Sequence, residues 1–146
     1  MIVDTWAVIA ILRGESDADL YIEALASAAA PRMSAATYLE TAVLVDANRD
    51  AVLSGRLDDL VRAVQLGIEP VTEQHAELGR RAYQLFGRGS GHPAALNFGD
   101  CFAYALARAT GEPLLFKGDD FVHTDVTPAL RMTPAWAEQP LPDPPK

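Results

Sequence analysis

Several kinds of residue are scarce in this chain, and each scarcity excludes something. There is one cysteine in 146 residues, Cys101, so no internal disulfide can form and the expected setting is a reducing cytoplasm. Bases are outnumbered by acids, 12 against 20, giving a net charge of −8 and arguing against nucleic-acid binding through bulk positive charge. That exclusion is conditional. Net charge ignores where charges sit, and a bound divalent ion would offset several acids at once. Lysine is nearly absent, so the basic residues are almost all arginine, whose planar fork suits phosphate and carboxylate. No window approaches the ~18 uninterrupted apolar residues of a membrane span, and the first residues lack the basic region and cleavage site of a signal peptide. Nucleotide-binding G-x-x-x-x-G-K-[ST] and G-x-G-x-x-G patterns are missing, as is the G-x-S-x-G elbow of serine hydrolases. Cys101, His75, His92 and His123 show neither C-x-x-C nor H-E-x-x-H spacing, which disfavours zinc and leaves Cys101 as a small buried hydrophobe.

What is present is a globular composition, 49% hydrophobic and 22% charged, at the length of one domain. Short apolar runs alternate with helical patterns. Strands are expected at Met1–Val3, Arg32–Ser34, Ile68–Val71, Leu114–Phe116 and, as a fifth, Val126–Thr127. Helices are expected at Thr5–Leu12, Ser16–Ala29, Ala35–Asn48, residues 50–65, Glu73–Phe86 and Asn97–Thr110, with Ser16-Asp17, Ser34 and Thr72 as caps. GRGSGHP at 87–93 is the clearest loop, and the proline-rich end is read as a loose tail. Strands separated by helices imply an α/β domain with a mostly parallel, covered sheet. One domain over residues 1–137 and a tail over 138–146 follow.

Four carboxylates stand out by their neighbours. Asp4 closes the first strand, at the end of the sheet where ligands sit in such folds, and a helix N-cap accounts for it equally well. Glu40 lies within a helix. Its neighbours three and four residues away are Ala36, Thr37, Val43 and Leu44, so no cation is offered along the helix. If the helix is as buried as its composition implies, an unpaired carboxylate there costs several kcal/mol or takes up a proton. The alternative places Glu40 on a solvated stripe. Asp100 has Ala103 and Tyr104 at helical spacing and reads as a helix cap or as a ligand, and Gly99 before it permits close approach of something. Asp119 and Asp120 follow the fourth strand in a loop, where acids are ordinarily solvated. Brought together, such groups raise one another's pKa unless a cation sits among them, and a hard divalent ion such as Mg²⁺ or Mn²⁺ takes oxygen ligands. Such a site can activate water and stabilise the charge on a phosphodiester.

The ordered set MIVDTWAVIAIL, SAATYLETAVLV, LNFGDCFAYALA and LLFKGDDFVHTDV resembles the VapC-type toxins of the PIN-domain ribonucleases, from Met1 to about Leu130. The resemblance implies a PIN-like three-layer α/β/α sandwich around a mostly parallel sheet, and Mg²⁺- or Mn²⁺-dependent endonucleolytic cleavage of RNA, of transfer or ribosomal class. It also implies a cognate antitoxin that holds the toxin inactive, and a homodimer, with no membrane association. The family's acids correspond to Asp4, Glu40, Asp100 and Asp120. Thr5 matches its small polar residue, and Asp119 is a supplementary position. The family reads D-T-S-A where this chain has Asp4-Thr5-Trp6-Ala7; the indole is expected to pack in the core or at the rim, the alternatives being a stacking surface for a base or a crowded cleft. Arg80, Arg81 and Arg88 flank the glycine loop and are candidates for contacting RNA, although Arg80 and Arg81 fit a solvated helix face equally. Two other functions compete. One is a mainly non-catalytic part of a toxin–antitoxin–operator complex, its acidic pocket filled by an antitoxin arginine. The other is an acid-lined phosphatase, disfavoured because Trp6 stands where haloacid-dehalogenase phosphatases carry a second acid.

Overall fold

The computed structural model describes residues 1–131; the expected domain end at 137 and the tail at 138–146 lie outside the described residues. The elements are β1 (Ile2–Val3), α1 (Thr5–Arg13), α2 (Ala18–Ser27), β2 (Arg32–Ser34), α3 (Ala35–Asp46), α4 (Ala51–Ala63), β3 (Gly67–Glu69), α5 (Glu73–Phe86), α6 (Phe98–Thr110) and β4 (Leu114–Leu115). All strand pairs are parallel, in the order β3-β2-β1-β4, with Ile2 opposite Leu114 and Val3 opposite Leu115.

Alternation along the strands sorts the core into two halves. Ile2 and Leu114 face one way and pack with Ala82 of α5 and with Ala103, Leu106 and Ala107 of α6. Val3, Met33 and Leu115 face the other way, against Val8 of α1, Leu25 of α2, Val45 of α3 and Leu57 of α4. Both faces of the sheet are therefore covered, and the architecture is the expected α/β/α sandwich. Each fully buried Leu, Ile or Val contributes roughly 1.5–3 kcal/mol of transfer free energy before entropy is set against it.

The strand order fixes where a ligand can sit. From β1 the chain winds through β2 to β3, then returns through α5 and α6 to place β4 on the other side of β1. Crossovers that leave in opposite directions from adjacent strands open a crevice at their carboxyl ends, here between β1 and β4. Asp4 follows β1 directly and its N–H donates to the Leu115 carbonyl at 2.9 Å.

Four expectations are corrected. Val126–Thr127 is not a strand of the sheet: the segment meets β4 in one isolated bridge between Pro128 and Leu114, in which the Leu114 N–H donates to the Thr127 carbonyl and the Ala129 N–H donates to the Leu114 carbonyl, each at 2.8 Å. The second helix starts at Ala18, and its N-cap Asp17 makes no side-chain cap bond, because the carboxylate is taken by Lys117 at 2.8 Å and the Tyr21 hydroxyl at 3.3 Å. Ser34 occupies the N-cap of α3 without a side-chain cap bond. Finally, α3 is not a buried helix: Thr37, Thr41 and Val45 face inward, whereas Leu39, Val43 and Leu44 are exposed.

Candidate active site

Asp4 is held by its own helix. Its backbone is extended, and Oδ2 accepts the Trp6 N–H at 3.2 Å, so the N-cap reading is correct as far as it goes. The cap does not explain its surroundings. Asp4 is 3% exposed, and burial pushes its pKa up to about 7. The Trp6 and Thr5 N–H groups pull it down, while the charges of Asp100 and Glu40 push it further up.

Glu40 is half-buried and neither free in solvent nor enclosed. Its Oε1 accepts a hydrogen bond from the buried Thr5 hydroxyl at 2.9 Å. Its other oxygen, Oε2, lies against Gly99 of α6: a Cβ added at Gly99 would overlap Oε2 and come within 2.8 Å of the carboxyl carbon. The close approach that Gly99 permits is thus the approach of a carboxylate from another helix.

Asp100 is not the N-cap of α6; Asn97 is. The two form a reciprocal capping box, with Asn97 N–H donating to Asp100 Oδ2 at 2.8 Å and Asp100 N–H donating to Asn97 Oδ1 at 2.9 Å. Asp100 is 4% exposed, and its pKa is raised to about 6, first by burial and then by Asp120 and Glu40, against the lowering effects of the Asn97 N–H and the Arg88 charge. Its Oδ1 has no partner among the described residues, yet is not sealed from solvent.

Asp119 and Asp120 are exposed in the turn after β4. The charge of Asp120 is felt at Asp100, while the Asp119 carbonyl accepts the Val122 N–H, so only Asp120 is tied electrostatically to the cluster. Asp4, Glu40, Asp100 and Asp120 therefore come from four separate segments and act on one another, and among the described residues none of them makes an ion pair. As placed, no three His, Cys, Asp or Glu side chains among the described residues are gathered tightly enough to hold an ion. Glu40 is instead hydrogen-bonded to Thr5, and Asp100 to Asn97. The donor set nevertheless fits a hard divalent ion, being oxygen-only and without a competing base.

The other titratable groups are structural. Cys101 is buried, donates to the Asn97 carbonyl at 3.3 Å, and has its thiol pKa pushed up to about 11 by burial and by Asp100. His75 completes the α5 capping box with Thr72, and His92 accepts the Ala94 N–H and meets the Phe86 ring edge-on. The three arginines separate. Arg88 acts on Asp100, Arg81 on Tyr104, and Arg80 lines a groove with Tyr83, Phe98 and Phe102. Trp6 was expected in the core or at the rim, and only the core half is corrected: it is 40% exposed, on the first turn of α1 beside Asp4. Two residues escaped the sequence reading. Asn97 was discoverable from its spacing three residues before Asp100; Thr41, whose Oγ1 lies 3.0 Å from Thr5 Oγ1, had no signal in a single sequence.

The fold agrees with what comparison finds. The chain belongs to the PIN-domain family, whose profile matches residues 1–126. Within it, ribonuclease VapC28 of Mycobacterium tuberculosis is 58% identical over 130 residues, which span 89% of this chain and 98% of that protein. Ribonuclease VapC42 of the same organism is 47% identical over 129 residues, 88% of this chain and 98% of that one. Among solved structures, a toxin–antitoxin complex from Klebsiella pneumoniae superimposes with a TM-score of 0.65 at 18% identity, covering 85% of this chain and 92% of its own. The sarcin–ricin loop cleaving toxin VapC20 of Mycobacterium tuberculosis gives 0.62 at 21% identity, covering 87% and 98%. At those identities the structures speak to the fold alone.

Proposed function

We propose that the chain is a divalent-metal-dependent endoribonuclease and the toxin of a type II toxin–antitoxin pair, working in the cytoplasm as one nuclease domain to about residue 137. The relatives' naming as VapC ribonucleases supports the RNA-cleaving activity. The observation that carries the metal dependence is electrostatic. Asp4 and Asp100 are buried at the mouth of the β1/β4 crevice with raised pKa values, and among the described residues neither makes an ion pair, the Arg88 charge only partly offsetting Asp100.

Asp4, Asp100 and Asp120 would hold Mg²⁺ or Mn²⁺, with Glu40 completing the set. When bound, such an ion lowers the pKa of water and offsets the charge that builds on a phosphodiester during hydrolysis. The protein's part is then positional. Trp6 N–H and Asn97 N–H fix one oxygen of Asp4 and of Asp100, so that each carboxylate presents its other oxygen outward. Thr5 does the same for Glu40, whose Oε2 is left to accept a hydrogen bond from the attacking water and orient it. Thr5 thus supports the site by holding Glu40, and Asp119 is a reserve acid beside it. Arg88, whose charge already reaches Asp100, is the best placed of the three arginines to contact the RNA backbone. Arg81 would engage RNA further from the acids, whereas Arg80 lines the groove between α5 and α6.

A cognate antitoxin is the expected partner, supported by the toxin–antitoxin complex among structures of this fold and by an acidic pocket that suits an arginine side chain. A homodimer is the expected assembly, and we place its interface at the groove of about 450 Å³ between α5 and α6, where Phe98 is 78% exposed. Purified chain incubated with structured transfer or ribosomal RNA should cut it with Mg²⁺ or Mn²⁺ and stop in EDTA. Cleavage that persists in EDTA, or survives Asp4→Asn, would sink the mechanism.

A further inference from the structure

Beneath Glu40 lies a short chain of hydroxyls. Thr41 follows Glu40 in α3 and points inward, 0% exposed. Its Oγ1 stands 3.0 Å from Thr5 Oγ1 and 2.8 Å from the Thr37 carbonyl, and Thr5 Oγ1 stands 2.9 Å from Glu40 Oε1. Each hydroxyl carries one proton to donate. If Thr41 donates to the Thr37 carbonyl, the Thr5 proton has two near acceptors, Thr41 and Glu40, and in one arrangement Glu40 loses its donor. If Thr41 donates to Thr5, the Thr5 proton has one short acceptor left, Glu40, because the Thr37 carbonyl is 3.4 Å away. A hydroxyl that accepts a hydrogen bond is also polarised into a stronger donor. The arrangement Thr41 to Thr5 to Glu40 therefore satisfies the carboxylate best.

We propose that Thr41 is a positioning residue of the nuclease site: its hydroxyl orients the Thr5 proton onto Glu40 Oε1 and so keeps Glu40 Oε2 turned toward Gly99 and the acid cluster. The proposal rests on the reading of Glu40 as a site carboxylate. Burial of a threonine hydroxyl on α3 does not by itself produce this role. Thr37, one turn earlier, is also buried, but its Oγ1 is sealed with no partner among the described residues.

That contrast supplies the control. Mn²⁺ affinity of the full chain, read by electron paramagnetic resonance, and steady-state cleavage of an RNA hairpin are compared for wild type, Thr41→Val, Thr41→Ser and Thr37→Val. Thr41→Val should weaken Mn²⁺ binding and lower kcat, each on the order of tenfold, with KM for RNA unchanged. Thr41→Ser should restore both, and Thr37→Val should leave both at wild-type values. Should Thr41→Val not fold, Thr41→Ala removes the same hydroxyl. Wild-type kcat and Mn²⁺ affinity in the variant lacking the hydroxyl would overturn the proposal. So would failure of Thr41→Ser to restore them, or an equal loss in Thr37→Val. Wild type that binds Mn²⁺ but cuts no RNA would instead overturn the nuclease reading, with the Mn²⁺ comparison still deciding the role of Thr41.

Discussion

Asp4 and Asp100 tie function to stability at the level of single carboxylates. Both have folded pKa values, about 7 and about 6, above the ordinary 3.8. A group with a raised folded pKa stabilises the fold fully below its unfolded pKa, and that contribution is lost as pH rises through the folded value. Metal-free protein should therefore become less stable between about pH 4 and pH 7. The ceiling for Asp4 is roughly 4 kcal/mol, since each tenfold change in proton affinity is worth about 1.4 kcal/mol. Thermal unfolding in EDTA should show a falling Tm across that window, and Asp4→Asn should flatten the slope. A second residue-scale prediction concerns Gly99. Alanine there gains helix propensity, roughly 1 kcal/mol, but its Cβ overlaps the Glu40 carboxylate. Gly99→Ala should keep or raise Tm while cutting RNA cleavage about a hundredfold, the upper range for displaced support around a metal site; parallel loss of Tm and activity would contradict the contact.

At the scale of elements, α6 shows how a cap and a site share one side chain. Asp100 closes the capping box with Asn97, and this same bond fixes which of its oxygens faces the crevice. Asn97→Ala should cost about 1 kcal/mol in denaturant unfolding by removing the Oδ1 acceptor of the Asp100 N–H, and it should leave Mn²⁺ binding near wild type, because the bond that fixes Asp100 Oδ2 comes from the backbone N–H of residue 97, which alanine keeps. How much could be read in advance differs from element to element for physical reasons. The helix at Glu73–Phe86 was legible to the residue, because Thr72 supplies a true cap and Gly87 ends it. The start of α2 was not, since Asp17 spends its carboxylate on Lys117, a partner 100 residues away. The fifth strand shrinks to a single bridge at Pro128, because how far a segment runs beside β4 depends on its placement in the fold and not on its own apolar pattern. For the acids, the local sequence marked Glu40 and Asp100 as lacking a cation along their helices, and among the described residues neither makes an ion pair. It misjudged the burial of α3 and could not show that Gly99 faces Glu40, because both facts depend on which helix α3 packs against.

For the whole molecule, the parallel order β3-β2-β1-β4 does the gathering: it places the ends of β1 and β4 side by side and brings the start of α6 and the middle of α3 to the same crevice. A net charge of −8 is then no obstacle to an RNA substrate, since part of the acidity is concentrated where a divalent ion would offset it. The exposed aromatic groove between α5 and α6 predicts self-association. Phe98→Glu should shift the chain from dimer to monomer in light scattering, and a wild-type chain that stays monomeric at tens of micromolar would contradict that interface. The central claim is that Asp4, Glu40, Asp100 and Asp120 form one cation site, and calorimetric titration of Mn²⁺ into metal-free protein at pH 6.5, repeated in buffers of different ionisation enthalpy, tests it most directly. With Asp4 and Asp100 titrating near 7 and 6, binding should release roughly one proton per ion. The release should vanish by pH 8.5, and both binding and release should be lost in Asp4→Asn/Asp100→Asn. Binding without proton release at pH 6.5, or binding unchanged in the double variant, would contradict the account.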